Sequence, residues 1–483
     1  MKKYNIGLDF GTFQTKSCVY SIENDTHEFF IFSNGSYFLL SQITENLDGR
    51  FEYGNDKSLN IKEEYVYFKI AAAEDYEFHV ETYGKPINDS SFYIYNRFRN
   101  YTPEFLSVVY ITYVLFSIKE HYKSLAQKAT RIGGLLSKYT QNKSENDDIE
   151  FTVQLGIPTE WSQKKNIKRK RKFENILLIS EMLQKKYNSK DDFLNASTQD
   201  LKADVLNIYN SYKHFDEISF DSYINNFGIS VYPETAAGLT FIVKTRQLEP
   251  GYYAIMDIGG GSTDISFFSI QIGGEIRYLA SESYLLAANN VYINYANQTP
   301  SLANLKDAEI EVISKINTGQ WKNNKSLNDT LEKINKQLNA IIYKLFNKRV
   351  YWFNKEMTRN YSNKPIILYG GGSRLPIINS DRVLIHDNGN STSLKIPLTY
   401  LEKQEIHKFT SIINILPSNE TWKSDFPILA VALGLSFIKP KSSVDWFNIN
   451  YYNYKDGDRL KTISHPVNEG YYIYDILNSR WEY

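Results

Sequence analysis

The chain has 483 residues, 42% hydrophobic and 15% aromatic, which supplies large buried cores and excludes global disorder. Lys+Arg and Asp+Glu each number 55, so a net charge of zero excludes whole-molecule attraction to nucleic acid or to anionic lipid. One cysteine, Cys18, excludes an internal disulfide and a cysteine zinc cluster, and the seven histidines are scattered without metal-ligand spacing.

In chain order, Met1-Lys2-Lys3-Tyr4-Asn5 leads into a strand over 4–10 with no signal-peptide core. Gly11-Thr12 then turns the chain into a second strand over 15–22, so the pair reads as a hairpin. Residues 28–53 read as β-rich, with a turn at Asn34-Gly35. A helix is expected over 102–124, with Thr102 as N-cap, Pro103 in the first position and Glu104 on the dipole. A polar loop over 139–149 precedes a strand over 151–157, which Pro158 ends. A charged helix is expected from Trp161 to about Lys186, and helical patches over 187–225. A short strand over 228–231 and a helix over 235–246 follow. Strands are expected at 252–258, 264–272 and 365–369, helices over roughly 302–358, and a buried helix over 426–437. The runs 105–118 and 426–438 are too short to span a bilayer, so the expected location is cytosolic, with no membrane and no nucleic-acid partner. Mixed strands and helices place the chain in the α/β class.

Two segments echo each other. Ile6-Gly7-Leu8-Asp9-Phe10-Gly11-Thr12 and Ala254-Ile255-Met256-Asp257-Ile258-Gly259-Gly260 are apolar strands ending in Asp, an apolar residue and Gly. The aspartates lie 248 residues apart, too far for a solenoid repeat and suited to one hairpin in each of two lobes. A Gly-rich turn presents consecutive N–H groups to an anion, and glycine lets phosphate oxygens come close. A strand-end carboxylate suits hydrated Mg²⁺, which keeps its waters and takes few protein ligands. A lone Asp-x-Gly is usually only a turn; the doubling, with a third Gly-rich segment at Gly370-Gly371-Gly372, points to a polyphosphate gripped from both sides. Gly11 to Ser17 is no P-loop, because Thr15 stands where glycine must precede the lysine, and no Gly-x-Gly-x-x-Gly opens a βα unit.

The segments IGLDFGTFQTKSCVY (6–20), AIMDIGGGSTDISFF (254–268) and IILYGGGSRLPI (366–377) resemble the two phosphate motifs and the adenosine motif of the actin-like ATPase superfamily. YTPEFLS (101–107), LGIPTEW (155–161), YPETAAGL (232–239) and ILAVALGLSF (428–437) follow in the family's order. Together they are most similar to the ATPase domain of DnaK-type heat-shock chaperones. The resemblance implies a two-lobed fold of duplicated ribonuclease H-like domains, with ATP/ADP and Mg²⁺ as ligands. It implies lobe I over 1–247, with an outer subdomain about 36–101 and an insertion about 187–227. Lobe II would span 248–438, with an outer subdomain about 289–361, and a tail would span 439–483.

By the same resemblance Asp9 and Asp257 would place Mg²⁺ through water. Gly11, Thr12 and Phe13 would bind phosphate from lobe I, and Gly259, Gly260, Gly261 and Ser262 from lobe II. Asp264 and Glu234 would orient the attacking water, and Lys69 would stabilise charge at the γ-phosphate. Gly370, Gly371 and Gly372 would line adenosine, and Arg374 would stack on adenine. The alternative for Lys69 is a solvated surface lysine.

The sequence also departs from that pattern. Chaperones carry Glu-Pro-Thr-Ala-Ala where this chain has Pro233-Glu234-Thr235-Ala236-Ala237, which puts the aim of Glu234 in doubt. Ala287-Ala288 stands where the family has Gly-Gly, and two methyl groups there are expected to crowd the phosphate. Only 46 residues follow Phe437, so a peptide-holding domain is not expected. The basic run from Lys164 to Lys172 reads as a solvated helix face, Cys18 as a buried small hydrophobe, and the tyrosine-rich tail as either a partner surface or packing onto lobe II.

The expected function is therefore a Mg²⁺-dependent ATPase acting as a chaperone-like conformational switch on a protein partner. Alternatives are an actin-like filament protein, a small-molecule kinase of the same superfamily and a non-hydrolysing pseudo-ATPase. The sequence fixes neither the partner nor the oligomeric state.

Overall fold

A computed structural model describes residues 2–54, 60–74, 78, 80, 98, 100–136, 149–158, 161, 167–244, 251–270, 276–284, 286–302, 305–345, 366–377, 382–386, 393–400, 415 and 422–437. The tail over 439–483, the loop expected from 139, the lysines Lys164 and Lys165 and the helix expected beyond 345 lie outside the described residues.

The strands are β1 (Lys2–Phe10), β2 (Gln14–Ser21), β3 (Thr26–Phe29), β4 (Leu39–Leu40), β5 (Gln42–Asn46), β6 (Phe51–Tyr53), β7 (Ile61–Val66), β8 (Ile149–Ile157) and β9 (Ile229–Pro233). There follow β10 (Gly251–Ile258), β11 (Thr263–Ile270), β12 (Ile276–Tyr284), β13 (Ile366–Tyr369), β14 (Arg382–His386) and β15 (Ser393–Tyr400). The first large sheet runs β3-β2-β1-β8-β9, with β4 beside β2; the second runs β12-β11-β10-β13-β15-β14. In both, the first three strands are antiparallel and the next two join in parallel, so β1 and β10 hold the same place. The echo in sequence is thus an echo in topology. A third sheet, β6-β5-β7, stands apart from both.

The helices are α1 (Phe68–Glu74), α2 (Pro103–Leu136), α3 (Ile167–Lys186), α4 (Lys190–Asn195), α5 (Thr198–Tyr212), α6 (Glu217–Phe227) and α7 (Glu234–Lys244). Then come α8 (Ala288–Gln298), α9 (Leu305–Asn317), α10 (Lys325–Leu345) and α11 (Trp422–Ser436). Thr102 does cap α2, accepting from Phe105 N–H at 3.2 Å, but the helix runs twelve residues past the expected end. Ser189, Ser197 and Asp216 cap α4, α5 and α6 in the 187–227 segment, and Gly228, at φ 65, ends α6.

The basic run corrects the sequence reading. Lys172 is buried and donates to Glu104 at 2.7 Å, and Arg171 pairs with Glu174 at 3.0 Å. Lys119 binds Glu181 at 2.6 Å, so two buried ion pairs join α2 to α3. In such places a charge is kept by its partner, and removing either member leaves the other stranded.

The first large sheet shares one apolar core with the small third sheet, the second large sheet has its own, and a third core lies between the two large sheets. It brings Cys18 and Phe29 of the first sheet together with Ala236, Ala237, Tyr253, Phe268 and the apolar face of α11. Although α11 follows the second sheet in the chain, it packs on β1, β2 and α7. The crossing needs glycine. A Cβ on Gly434 would lie 1.7 Å from the Ala237 carbonyl oxygen, and one on Gly7 2.4 Å from that of Ala432. Among the described residues no helix is long and apolar enough to cross a membrane.

Gly434→Ala is expected to force α7 and α11 apart and cost about 2 kcal/mol or more, read as a lower thermal midpoint. Gly371→Ala, where the added carbon meets nothing within 4 Å, should leave the midpoint within about a degree or two. Equal effects would mean the crossing is not close-packed.

Candidate functional site

The two motif hairpins close in the same way. Gly11 N–H donates to Gln14 O at 3.1 Å, and Gly259 N–H donates to Ser262 O at 2.9 Å. Asp9 sits directly opposite Lys16 on β2, and Asp257 directly opposite Asp264 on β11. Directly opposed residues share a face of the sheet, so each aspartate brings its cross-strand partner with it. In the first hairpin that partner is a cation, Lys16 Nζ lying 2.7 Å from Asp9 Oδ2. In the second it is another carboxylate.

Both turns are held from behind. Ser41 Oγ donates to Gly11 O at 2.7 Å. The first N–H groups of α8 take the turn carbonyls of the second hairpin, Ala288 to Gly259 at 3.2 Å and Asn289 to Gly260 at 2.8 Å. Those two bonds fix the turn against the start of α8. Ala287 has an extended backbone, φ −157, so the position does not need glycine; of the two methyl groups expected to crowd the phosphate, that of Ala287 lies outside the cavity lining and that of Ala288 lies in it.

The turns face each other across one cavity of about 300 Å³. Its lining includes Asp9, Gly11, Thr12, Phe13, Lys69, Glu234, Asp257, Gly259, Gly260, Ser262, Asp264, Gly370, Gly371, Gly372 and Arg374. Of the site residues expected from sequence, Gly261 alone is not in that lining. It is buried against α1 and the first hairpin turn, where a Cβ would lie 2.4 Å from Ile70 Cδ1 and 2.8 Å from Thr12 Cγ2. Its glycine lets the two turns approach.

Lys69 is not a solvated lysine. It is 3% exposed, and its Nζ donates to Glu234 Oε1 at 2.6 Å. Tyr67, a bulky residue held at φ 64, turns the chain from β7 into α1, which carries Lys69. Such strain persists only where the surrounding structure holds it. Glu234 opens α7 just after Pro233, so the one-residue shift still delivers its carboxylate to the cavity.

The carboxylates crowd one another. Asp257 is pushed up to about 8, first by loss of solvent and then by the charges of Glu234 and Asp9. Burial and Glu234 hold Asp264 well above the usual carboxylate range, although Ser283 donates to it. Burial also raises Glu234, against the pull of Lys69. Among the described residues no group of three or more His, Cys, Asp or Glu side chains is disposed to hold a metal directly. The surplus of acid does fit a hydrated Mg²⁺, which needs only one or two carboxylates.

The third glycine turn packs directly against the second hairpin: Gly370 has φ 87, and a Cβ there would lie 2.2 Å from Asp257 Oδ1, so no other residue fits. Gly370 N–H donates to Pro427 O at 3.1 Å, tying this turn to α11. Arg374 lies at the cavity rim with Nη2 2.6 Å from Asp425 Oδ1. Tyr292, Ile313, Ile316 and Leu375 supply apolar wall, with Glu309 and Asn317 beside them.

Sequence reasoning missed Lys16, Asn289 and the wall on α9. Lys16 had a usable signal: a hairpin closing from Gly11 to Gln14 sets Lys16 opposite Asp9. Ile313 and Ile316 read only as the apolar positions of a helix.

No family model matches the sequence, and no curated protein matches it. Among solved structures the chain is similar to a pCBH ParM non-polymerisable quadruple mutant. Identity is 13%, the match covers 90% of this chain and 98% of that one, and the TM-score is 0.40. So slight a likeness assigns no family, and what the cavity can do is read from its own residues.

A carboxyl held protonated to about pH 8 when folded ionises near 3.9 when unfolded. Between those values the folded chain keeps a proton that the unfolded chain has lost, so the ligand-free protein loses stability as pH rises from about 4 to about 8. Asp257→Asn is expected to flatten that decline and raise the thermal midpoint at pH 8. An unaltered pH profile would show that Asp257 is not the group responsible.

Proposed function

We propose that the chain is an ATPase that binds Mg-ATP between the two hairpin turns, on an actin-like fold of two ribonuclease H-like halves. One observation carries this reading. Two hairpins with the same strand position, the same turn closure and the same strand-end aspartate face each other across a single cavity. A lone hairpin of this kind is a turn; a facing pair is a grip for an elongated anion.

The charge inventory supports a metal-bearing polyphosphate. Asp9, Glu234, Asp257, Asp264 and Glu309 share the cavity with Lys16, Lys69 and Arg374, so five acids face three bases. A bare triphosphate would meet repulsion there, whereas one carrying a divalent cation would relieve it. Asp9 and Asp257 would hold Mg²⁺ through its waters, and the bound ion would supply charge neutralisation on the phosphate oxygens.

The other roles fall to the chain itself. Gly11, Thr12 and Phe13 bind phosphate from one side, and Gly259, Gly260 and Ser262 from the other. Lys69 meets charge that develops as the terminal phosphate leaves, and its pairing with Glu234 keeps it in place. Glu234 and Asp264, both raised, orient the attacking water and take its proton. Gly370, Gly371 and Gly372 flank the nucleoside, with Arg374 at the rim.

Nucleotide state is read out as lobe angle. Self-assembly and a chaperone-type signal to a partner are both open to such a switch, and the second has no support beyond the sequence motifs. Sedimentation needs no partner and is the first experiment: an ATP-dependent pellet supports assembly.

Lys69→Ala and Glu234→Gln should each keep Mg-ATP binding and slow phosphate release by about 10²-fold or more. Unchanged turnover would overturn these roles, and failure of the wild type to bind Mg-ATP would overturn the reading as a whole.

A further inference from the structure

Asn289 is the second residue of α8, beside the Gly259–Gly260 turn. Its side chain is 1% exposed and lines the cavity. Neither Nδ2 nor Oδ1 has a hydrogen-bond partner among the described residues. Asn46, Gln154 and Asn339 each leave one amide atom unpaired; among the described residues only Asn289 leaves both. Burying a polar group without a partner destabilises the fold that does it.

A local structural role does not account for it. The cap of α8 is made by the next residue, Asn290, whose Oδ1 accepts from Ala287 N–H at 2.7 Å. The tie to the turn is made by the Asn289 backbone N–H, which any residue but proline supplies. The amide is thus a donor and an acceptor held ready in the cavity wall.

Its chemistry selects what would satisfy it. Phosphate oxygens only accept and would leave Oδ1 stranded. A pair of neighbouring hydroxyls satisfies both ends, one accepting from Nδ2 and the other donating to Oδ1. The edge of a base bearing an amino group would do so too. Asn289 stands beside the second hairpin turn, its backbone N–H on Gly260 O, and Tyr292, three residues on along the same helix, continues the cavity wall away from that turn. The group next to the phosphates in a nucleotide is the sugar.

We propose that Asn289 reads the ribose diol and makes the site select ribonucleotides over deoxyribonucleotides. The proposal rests on the nucleotide reading above and assigns that site a specificity residue.

The test is titration of wild type and Asn289→Leu with Mg-ATP, Mg-2′-deoxy-ATP and Mg-ITP, alongside the thermal midpoint of each protein without ligand. Wild type is expected to prefer ATP over 2′-deoxy-ATP by about tenfold. Asn289→Leu should lose most of that preference by weakening more for ATP than for 2′-deoxy-ATP, and its ligand-free midpoint should be no lower than wild type's. Asn289→Ala should show the same loss of preference.

Undiminished preference for ATP in both variants would overturn the proposal. Equal weakening for ATP and 2′-deoxy-ATP would place the amide on phosphate, and a change confined to ATP against ITP would place it on the base; either contradicts a ribose contact. A clearly lower ligand-free midpoint with binding preference intact would make Asn289 structural. Failure of wild type to bind any of the three would remove the nucleotide reading itself, an outcome distinct from all of these.

Discussion

Asp257 and Asp264 stand directly opposite each other on neighbouring strands, where like charges repel. The first hairpin resolves the same geometry with Lys16 against Asp9; the second does not. Glu234 adds to the crowding, and burial together with these neighbours raises all three carboxyls, Asp257 to about 8. A site so arranged is incomplete by charge. A divalent cation entering with a phosphate, as proposed, would balance it from both hairpins at once.

The same residues tie chemistry to shape. Glu234 is the first residue of α7, and α7 crosses α11 where Gly434 meets the Ala237 carbonyl. The third glycine turn hangs on α11 through Gly370 and Pro427. Thr235 and Ser266 share a hydrogen bond of 3.1 Å between α7 and β11. The Lys69–Glu234 pair thus stands at the start of the helix that, with α11, builds the core between the sheets. Glycines 260 and 261 serve this closeness: a side chain on either would strike Phe13, Thr12 or Ile70 of the facing lobe.

Much of this was legible in sequence because hairpin and turn signals are local. The strand-end aspartates, the glycine turns and the two helices of the crossing follow from alternation, caps and glycine placement. What was not legible depends on partners distant in the chain. Lys172 looked solvated because Glu104, 68 residues earlier, gives no sign of waiting for it. Strands β12, β14 and β15 were not expected, since their pairing is set by neighbours already in the sheet. The α9 wall had only helical spacing to show, and Asn289 looked like one polar residue among many until its burial was known. The shifted Glu234 looked misplaced because a one-residue offset matters on a regular strand, but it sits at a strand-to-helix junction, where the chain changes direction.

The central claim is that one triphosphate lies between two turns contributed by opposite lobes. A crystal structure with Mg²⁺ and a non-hydrolysable ATP analogue measures this directly. The account predicts phosphate oxygens within hydrogen-bonding distance of both the 11–13 and the 259–262 backbone. A nucleotide held by one turn alone, or seated outside the cavity they share, would contradict it.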